Sequence, residues 1–281
     1  MDIKSRSLLE KITPVILTLN EEANISRVLD KLHWAKEIIV VDSGSSDATL
    51  QLLTAYHNVR CLHRKFDSHH EQWNFAINQV SLGSDWILAL DADYVLTDEL
   101  INEISDLSPE DDVMGYRARF QFYLRGQHLR GALYTPVVTL YRRGKGHYIQ
   151  TGHTQRLQLN GIIINLQGYI NHDDRKSLSR WLLSQDRYTT LEANYLLSND
   201  WSTLKIQDRI RRMMFIAPWL MPLYFLIFRA GIRDGWLGFF YALQRNIAES
   251  LLLLKIIELR LSKRMTKARS MISNSENAKE N

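Results

Sequence analysis

From residue 14 to residue 90 the chain repeats one pattern: a short apolar run, a polar cluster, then helical periodicity. The apolar runs are residues 14–19 (PVILTL), 37–41 (EIIVV), 59–62 and 86–90 (WILAL), each of a length suited to a buried strand. Between the first two, Ile25, Val28, Leu29 and Leu32 fall at i, i+3, i+4 and i+7, one face of an amphipathic helix. Asn20 is placed to cap that helix, with Glu21 and Glu22 as acidic residues of its first turn. After the second run, Gly44 relaxes a turn, and Ser46 or Asp47 can cap a helix through Leu50 and Leu53. Residues 70–79 are expected to be helical. Strands alternating with helices predict a mostly parallel α/β sheet whose connecting loops gather at its C-terminal edge. Asn20, Asp42, Asp47, Asp91 and Asp93 all stand where apolar runs end, so one cleft is expected to collect them.

Asp91-Ala92-Asp93 closes the last of these runs. Two carboxylates one residue apart at such an edge suit a hard divalent cation, which in turn neutralises a diphosphate. The pair alone is weak, because the same spacing also serves in ordinary exposed turns. Its position after two similarly terminated runs gives it weight.

From Gly115 to Gly168 the pattern turns to short β-like runs, residues 116–123, 137–141 and 162–166. The basic cluster Arg142-Arg143-Gly144-Lys145-Gly146 reads as a solvated hairpin turn, with phosphate contact as the rival reading. Asp173 and Asp174 follow a strand-like segment and precede a helix, which leaves both catalysis and helix capping open to them.

Thr18-Leu19-Asn20-Glu21-Glu22, Val41-Asp42-Ser43-Gly44-Ser45-Ser46-Asp47 and Leu90-Asp91-Ala92-Asp93 together resemble, in order and spacing, the signature of family 2 glycosyltransferases. The resemblance implies a GT-A fold, a nucleotide-sugar-binding α/β sheet with a DXD-type metal motif. It implies that Thr18, Asn20 and Glu21 line the nucleoside pocket, that Asp42 meets the base with Asp47 nearby, and that Asp91 approaches the ribose or diphosphate. Asp93 would ligate Mg²⁺ or Mn²⁺. Residues 71–76 (EQWNFA) resemble the helix that precedes the DXD strand, with Asn74 open to a role in the cleft or in packing, packing being favoured. Tyr94 stands where an acidic residue often follows the motif.

Residues 171–193, beginning Asn171-His172-Asp173-Asp174, resemble the lipopolysaccharide-core glucosyltransferase branch of the family. That branch often carries a His-Glu pair where this chain reads His153-Thr154. Threonine cannot act as a base, so Asp173 and Asp174 become the candidates for that role, and His153 a candidate third metal ligand.

In the last third, residues 213–228 (MMFIAPWLMPLYFLIF) carry no charge. The run is shorter than the roughly 20 residues of a spanning helix, and Pro218 and Pro222 interrupt it. From Thr203 to Arg269 thirteen Lys/Arg stand against four Asp/Glu, while the whole chain carries only +4. Arg209, Arg211, Arg212, Arg229 and Arg233 flank the run, and Trp219, Tyr224, Trp236 and Tyr241 add headgroup-type aromatics. Interfacial helices meeting anionic lipid are expected, the alternative being a buried helical hairpin or dimer contact. Basic residues around an apolar run suit lipid better than nucleic acid. One cysteine, Cys61, leaves no internal disulfide framework and fits a reducing compartment.

The expected layout is a catalytic domain over 1–202, nucleotide-binding over 1–114 and acceptor-facing over 115–202. A membrane-associating helical region follows over 203–269, and a disordered tail over 270–281. The expected activity is inverting, metal-dependent transfer of a hexose from a nucleotide sugar, a UDP-sugar first, to a lipid-linked or envelope glycan such as lipopolysaccharide core. It would take place at the cytoplasmic face of the cell membrane. Transfer to polyprenyl phosphate is the nearest rival. A nucleotidyltransferase would also use paired carboxylates, but would call for a Gly-rich basic loop that residues 18–22 do not provide.

Overall fold

A computed structural model describes residues 7–277 apart from 82, 132–133, 152–153 and 214–215. The strand–helix alternation is present as β1 (Ile12–Thr18), α1 (Ile25–Leu29), β2 (Ile38–Asp42), α2 (Thr49–Leu53), β3 (Val59–His63), α3 (His69–Ile77) and β4 (Trp86–Asp91). There follow β5 (Tyr94–Leu96), α4 (Asp98–Asp106), β6 (Val113–Leu124), β7 (Gln127–Leu129) and β8 (Val137–Arg142). A separate hairpin of β9 (Gly146–Thr151) and β10 (Thr154–Leu159) leads to the long β11 (Ile162–Asp174).

The main sheet runs β3-β2-β1-β4-β8-β6-β11-β5, with β7 paired to β6. Strands β3, β2, β1 and β4 are mutually parallel. Strand β8 is antiparallel to both β4 and β6, so β6 and its parallel neighbour β11 point the same way as β4. The C-terminal ends of β1, β2, β4, β6 and β11 therefore share one edge, and the site is built there.

Burial explains the apolar runs. Every residue of β2 is buried, and β1 and β4 are nearly so, because both faces of the sheet are covered. On one face Ile16, Val40, Leu88 and Leu90 pack with Val28 and Leu29 of α1 and with Leu100 and Ile104 of α4. On the other, Val15, Val41 and Ile87 pack with Trp73, Ala76 and Ile77 of α3. Asn74 fits packing as expected, bridging Tyr148 through both its backbone N–H and its carbonyl.

The chain divides into two compact units, Met1–Ser177 and Leu178–Asn281. The boundary lies ahead of residue 202, where the sequence reading ended the catalytic part. The second unit holds α5 (Leu178–Ser198), α6 (Ile206–Arg212), α7 (Ala217–Ile227) and α8 (Gly235–Asn277). Ala193 and Leu196 of α5 are buried with Leu204, Leu252 and Ile256, which ties α5 to the C-terminal helices. Helix α8 continues to Asn277, so most of the stretch expected to be disordered from 270 onward is helical. Few β-branched residues and no Gly or Pro stand between 262 and 277 to break it. No helix among the described residues is long and apolar enough to cross a membrane.

Candidate active site

The loops after β1 and β2 are tied together by short polar side chains. Asn20 adopts a left-handed backbone, φ 57°, instead of capping α1, which begins after Asn24. Asparagine tolerates that conformation better than most residues. Its Oδ1 accepts from the backbone N–H of Ser46 at 2.7 Å and of Asp47 at 3.3 Å, while its own N–H donates to Ser45 Oγ. Asp47 accepts from the Thr49 N–H and the Glu22 N–H.

Asp42 is fully buried and takes the Gly44 and Ser45 N–H groups on Oδ1, both at 2.9 Å. Its Oδ2 accepts from Thr18 and Ser45 hydroxyls. Thr18 and Asp42 each spend their polar atoms on the other and on the loop, and shape the pocket from beneath.

Above these loops lies a compact cluster of charge. Asp91 and Asp93 leave the end of β4, and His172 near the end of β11 sets its Nε2 3.2 Å from Asp93 Oδ2. Tyr94, Phe122 and Tyr134 surround the imidazole with centroid distances of 4.8–5.3 Å. Lys176 Nζ lies 2.7 Å from Glu21 Oε1 and 3.7 Å from Asp174 Oδ1. Asn24 donates from Nδ2 to both Glu21 and Asp174, at 2.9 Å each.

Ionisation follows from this crowding. Burial, then the charge of Asp93, pushes the Asp91 carboxyl up to about 6. Burial pushes Asp93 the same way, but His172 and Lys176 outweigh it and hold Asp93 below the usual carboxylate range. Burial opposes charge on His172, and Asp93 with Asp91 overcomes it, so the imidazole is raised. Glu21 is pushed up to about 7 by burial, against the pull of Lys176. Lys176 is raised because Glu21, Asp93 and Asp174 together outweigh its burial.

Asp173 and Asp174 close β11 instead of following it, so their side chains take opposite faces. Asp173 is buried. Its Oδ2 lies 2.6 Å from Arg27 NH1 and 2.9 Å from Arg175 NH2, and its Oδ1 accepts from the Gly126 N–H. Two guanidinium groups clamp this carboxylate, an arrangement that suits a strut better than a proton acceptor. Asp174 is half-buried. Its Oδ1 accepts from Asn24 Nδ2 and the Lys176 N–H, and its Oδ2 has no hydrogen bond among the described residues.

His153 lies outside the described residues. Among those described, no three His, Cys, Asp or Glu side chains form a metal cage. Two adjacent carboxylates nevertheless fit Mg²⁺ or Mn²⁺ of the kind that completes its shell with substrate phosphates and water. Burial and then the Asp93 charge raise Asp91, and a bound cation would relieve both.

Lys176, Asn24 and Arg27 carry no signal in the sequence that marks them as site residues. Strand alternation carried through residues 170–174 would have paired His172 with Asp174 on one face and set Asp173 on the other. The partners 146 residues apart, Arg27 and Asp173, left no local trace.

Fold and site together define an α/β enzyme of GT-A-like architecture with an acidic cleft at the C-terminal edge of its sheet. Residues 13–155 match Glycosyl transferase family 2, and the chain belongs to that family. It is 28% identical over 266 residues to the lipopolysaccharide core biosynthesis glycosyltransferase LpsC of Rhizobium meliloti, covering 88% of this chain and 92% of that one. An uncharacterized glycosyltransferase of Rickettsia typhi is 24% identical over 272 residues, covering 91% and 90%. Among solved structures, S. aureus TarS 1-349 in complex with UDP-GlcNAc aligns with TM-score 0.43 at 14% identity, over 90% of this chain and 92% of that one. Glucosyl-3-phosphoglycerate synthase of Mycobacterium tuberculosis aligns with TM-score 0.45 at 19% identity, over 67% and 79%.

Proposed function

We propose that this glycosyltransferase is an inverting, metal-dependent enzyme that moves a hexose from a UDP-sugar to a lipid-linked or envelope glycan acceptor of the lipopolysaccharide-core type. The observation that carries the reading is the convergence of Asp91, Asp93, His172 and Lys176 at the sheet edge. The similarity to LpsC over most of both chains supports the acceptor class. Asp91 and Asp93 would hold Mg²⁺ or Mn²⁺, which supplies positive charge against the departing diphosphate. The Lys176 ammonium adds fixed positive charge on the same side of the cleft. Asn20, Glu21 and Asp47 form the nucleoside side. Asp174, with its unbonded Oδ2, takes the proton of the attacking hydroxyl. Purified full-length protein, screened against nucleotide sugars with Mg²⁺, Mn²⁺ or chelator, tests this. Metal-dependent release of nucleoside diphosphate from a UDP-sugar is expected; no binding or turnover of any nucleotide sugar in the presence of metal refutes it.

Anionic lipid at the cytoplasmic face of the membrane is the partner proposed for the helical unit. Trp219 is 71% exposed, Phe228 77% and Trp236 89%. Arg209, Arg212, Arg229 and Arg233 stand near them in sequence. Exposed rings with cations close by in sequence suit an interface in which rings enter the headgroup region and cations meet lipid phosphate. Arg211 is corrected out of that set. It turns inward to Glu249, at 2.8 Å, and to Glu192, at 3.5 Å.

A further inference from the structure

Along β6, Arg117, Arg119, Gln121 and Tyr123 point to the face opposite the buried Tyr116 and Ala118. The paired positions on β11 are Asn165, Tyr169, Asn171 and Asp173, with a register shift between Asn165 and Tyr169. That irregularity opens a groove of about 480 Å³ whose lining includes Arg117, Arg119, Pro136, Asn165 and Gln167.

No acidic side chain lines this groove, and neither arginine forms an ion pair among the described residues. Arg117 has only a long 3.5 Å contact to Asn165 Oδ1. The Arg119 guanidinium lies over the Tyr169 ring, 4.4 Å from its centroid, and its buried Nε has no hydrogen-bond partner. Stacking uses the flat face of a guanidinium and leaves its in-plane N–H donors free for a two-oxygen partner. Two such cations on one strand face, two residues apart, lie about 7 Å apart along the strand. A buried donor without a partner is costly unless a ligand completes it.

We propose that the groove between Arg117 and Arg119 of β6 and Asn165 and Gln167 of β11 is a binding subsite for an anionic group, phosphate or carboxylate. It lies on the sheet face shared by Tyr169 and Asp173, opposite the face that carries Asp174.

The test uses glucose 6-phosphate, glucuronate and glucose as probes of the full-length protein by titration calorimetry. The Arg117→Gln/Arg119→Gln variant is measured beside the wild type, and UDP with Mn²⁺ reports on the donor cleft. Expected is binding of an anionic probe and not of glucose, weakened about tenfold or more in the variant, with UDP affinity unchanged. Weakening of both anions assigns the shared chemistry; weakening of one names phosphate or carboxylate. Equal binding of the anions to wild type and variant, no binding to either, or displacement of the probe by UDP overturns the subsite. Loss of UDP binding in the wild type would instead strike the transferase reading and leave the anion result to stand by itself.

Discussion

Replacing Asp173 by Asn separates a strut from a catalytic base. The Asp173 side chain is only 7% exposed and meets Arg27 NH1 at 2.6 Å and Arg175 Nε and NH2 at 3.0 and 2.9 Å. The amide keeps the volume but loses the charge, and it turns an N–H₂ toward one of the guanidinium groups. Charge-assisted hydrogen bonds of this kind contribute about 1.5–3 kcal/mol each, and breaking a buried pair costs roughly 3–5 kcal/mol. Arg27 and Arg175 keep 26% and 47% side-chain exposure, so water recovers part of that loss. The expected destabilisation is about 3 kcal/mol, which lowers Tm by roughly 6–12 °C for a unit of this size. Asp174→Asn is the counterpart: Tm close to wild type, donor binding retained, and kcat lower by roughly 10²–10⁴. Thermal unfolding and steady-state kinetics on both variants decide the matter. If Asp173→Asn melts like the wild type while kcat falls a hundredfold or more, the strut assignment is wrong.

Asp93→Asn should remove most activity and weaken the dependence on Mn²⁺ or Mg²⁺, as read by metal titration of turnover; wild-type turnover would remove the proposed metal role. Arg211→Met leaves Glu192 and Glu249 facing each other without their shared cation, with an expected cost of about 3–5 kcal/mol. Urea unfolding followed by helical circular dichroism checks this, and an unshifted midpoint contradicts it. Replacing Trp219, Phe228 and Trp236 by Ser should abolish sedimentation with phosphatidylglycerol vesicles at any salt concentration. Changing Arg209, Arg212, Arg229 and Arg233 to Gln should weaken it mainly at low salt, on the order of 1 kcal/mol per cation. A wild-type protein that stays in the supernatant at low ionic strength refutes the membrane surface.

What could be read from the chain was whatever local periodicity encodes. Residues 14–19, 37–41 and 86–90 are apolar because β1, β2 and β4 are covered on both faces, and their alternation with helical periodicity gave the mostly parallel sense, while the strand order came only from the fold. The clustering of Asn20, Asp47, Asp91 and Asp93 at one edge followed from the same alternation. Tertiary structure decided what each polar side chain does, because that depends on partners far away in sequence. Asp93 meets His172 across 79 residues, and Asn24 meets Asp174 across 150. Thr18 and Asp42 end successive strands, and only the fold shows that they are buried and hydrogen-bonded to each other. Arg211 is indistinguishable from Arg209 and Arg212 in a basic run; only the packing of helices around Glu192 and Glu249 makes it an interior ion pair. Burial and long-range pairing set the free energy of a charge, and neither is a property of the residues beside it in the chain.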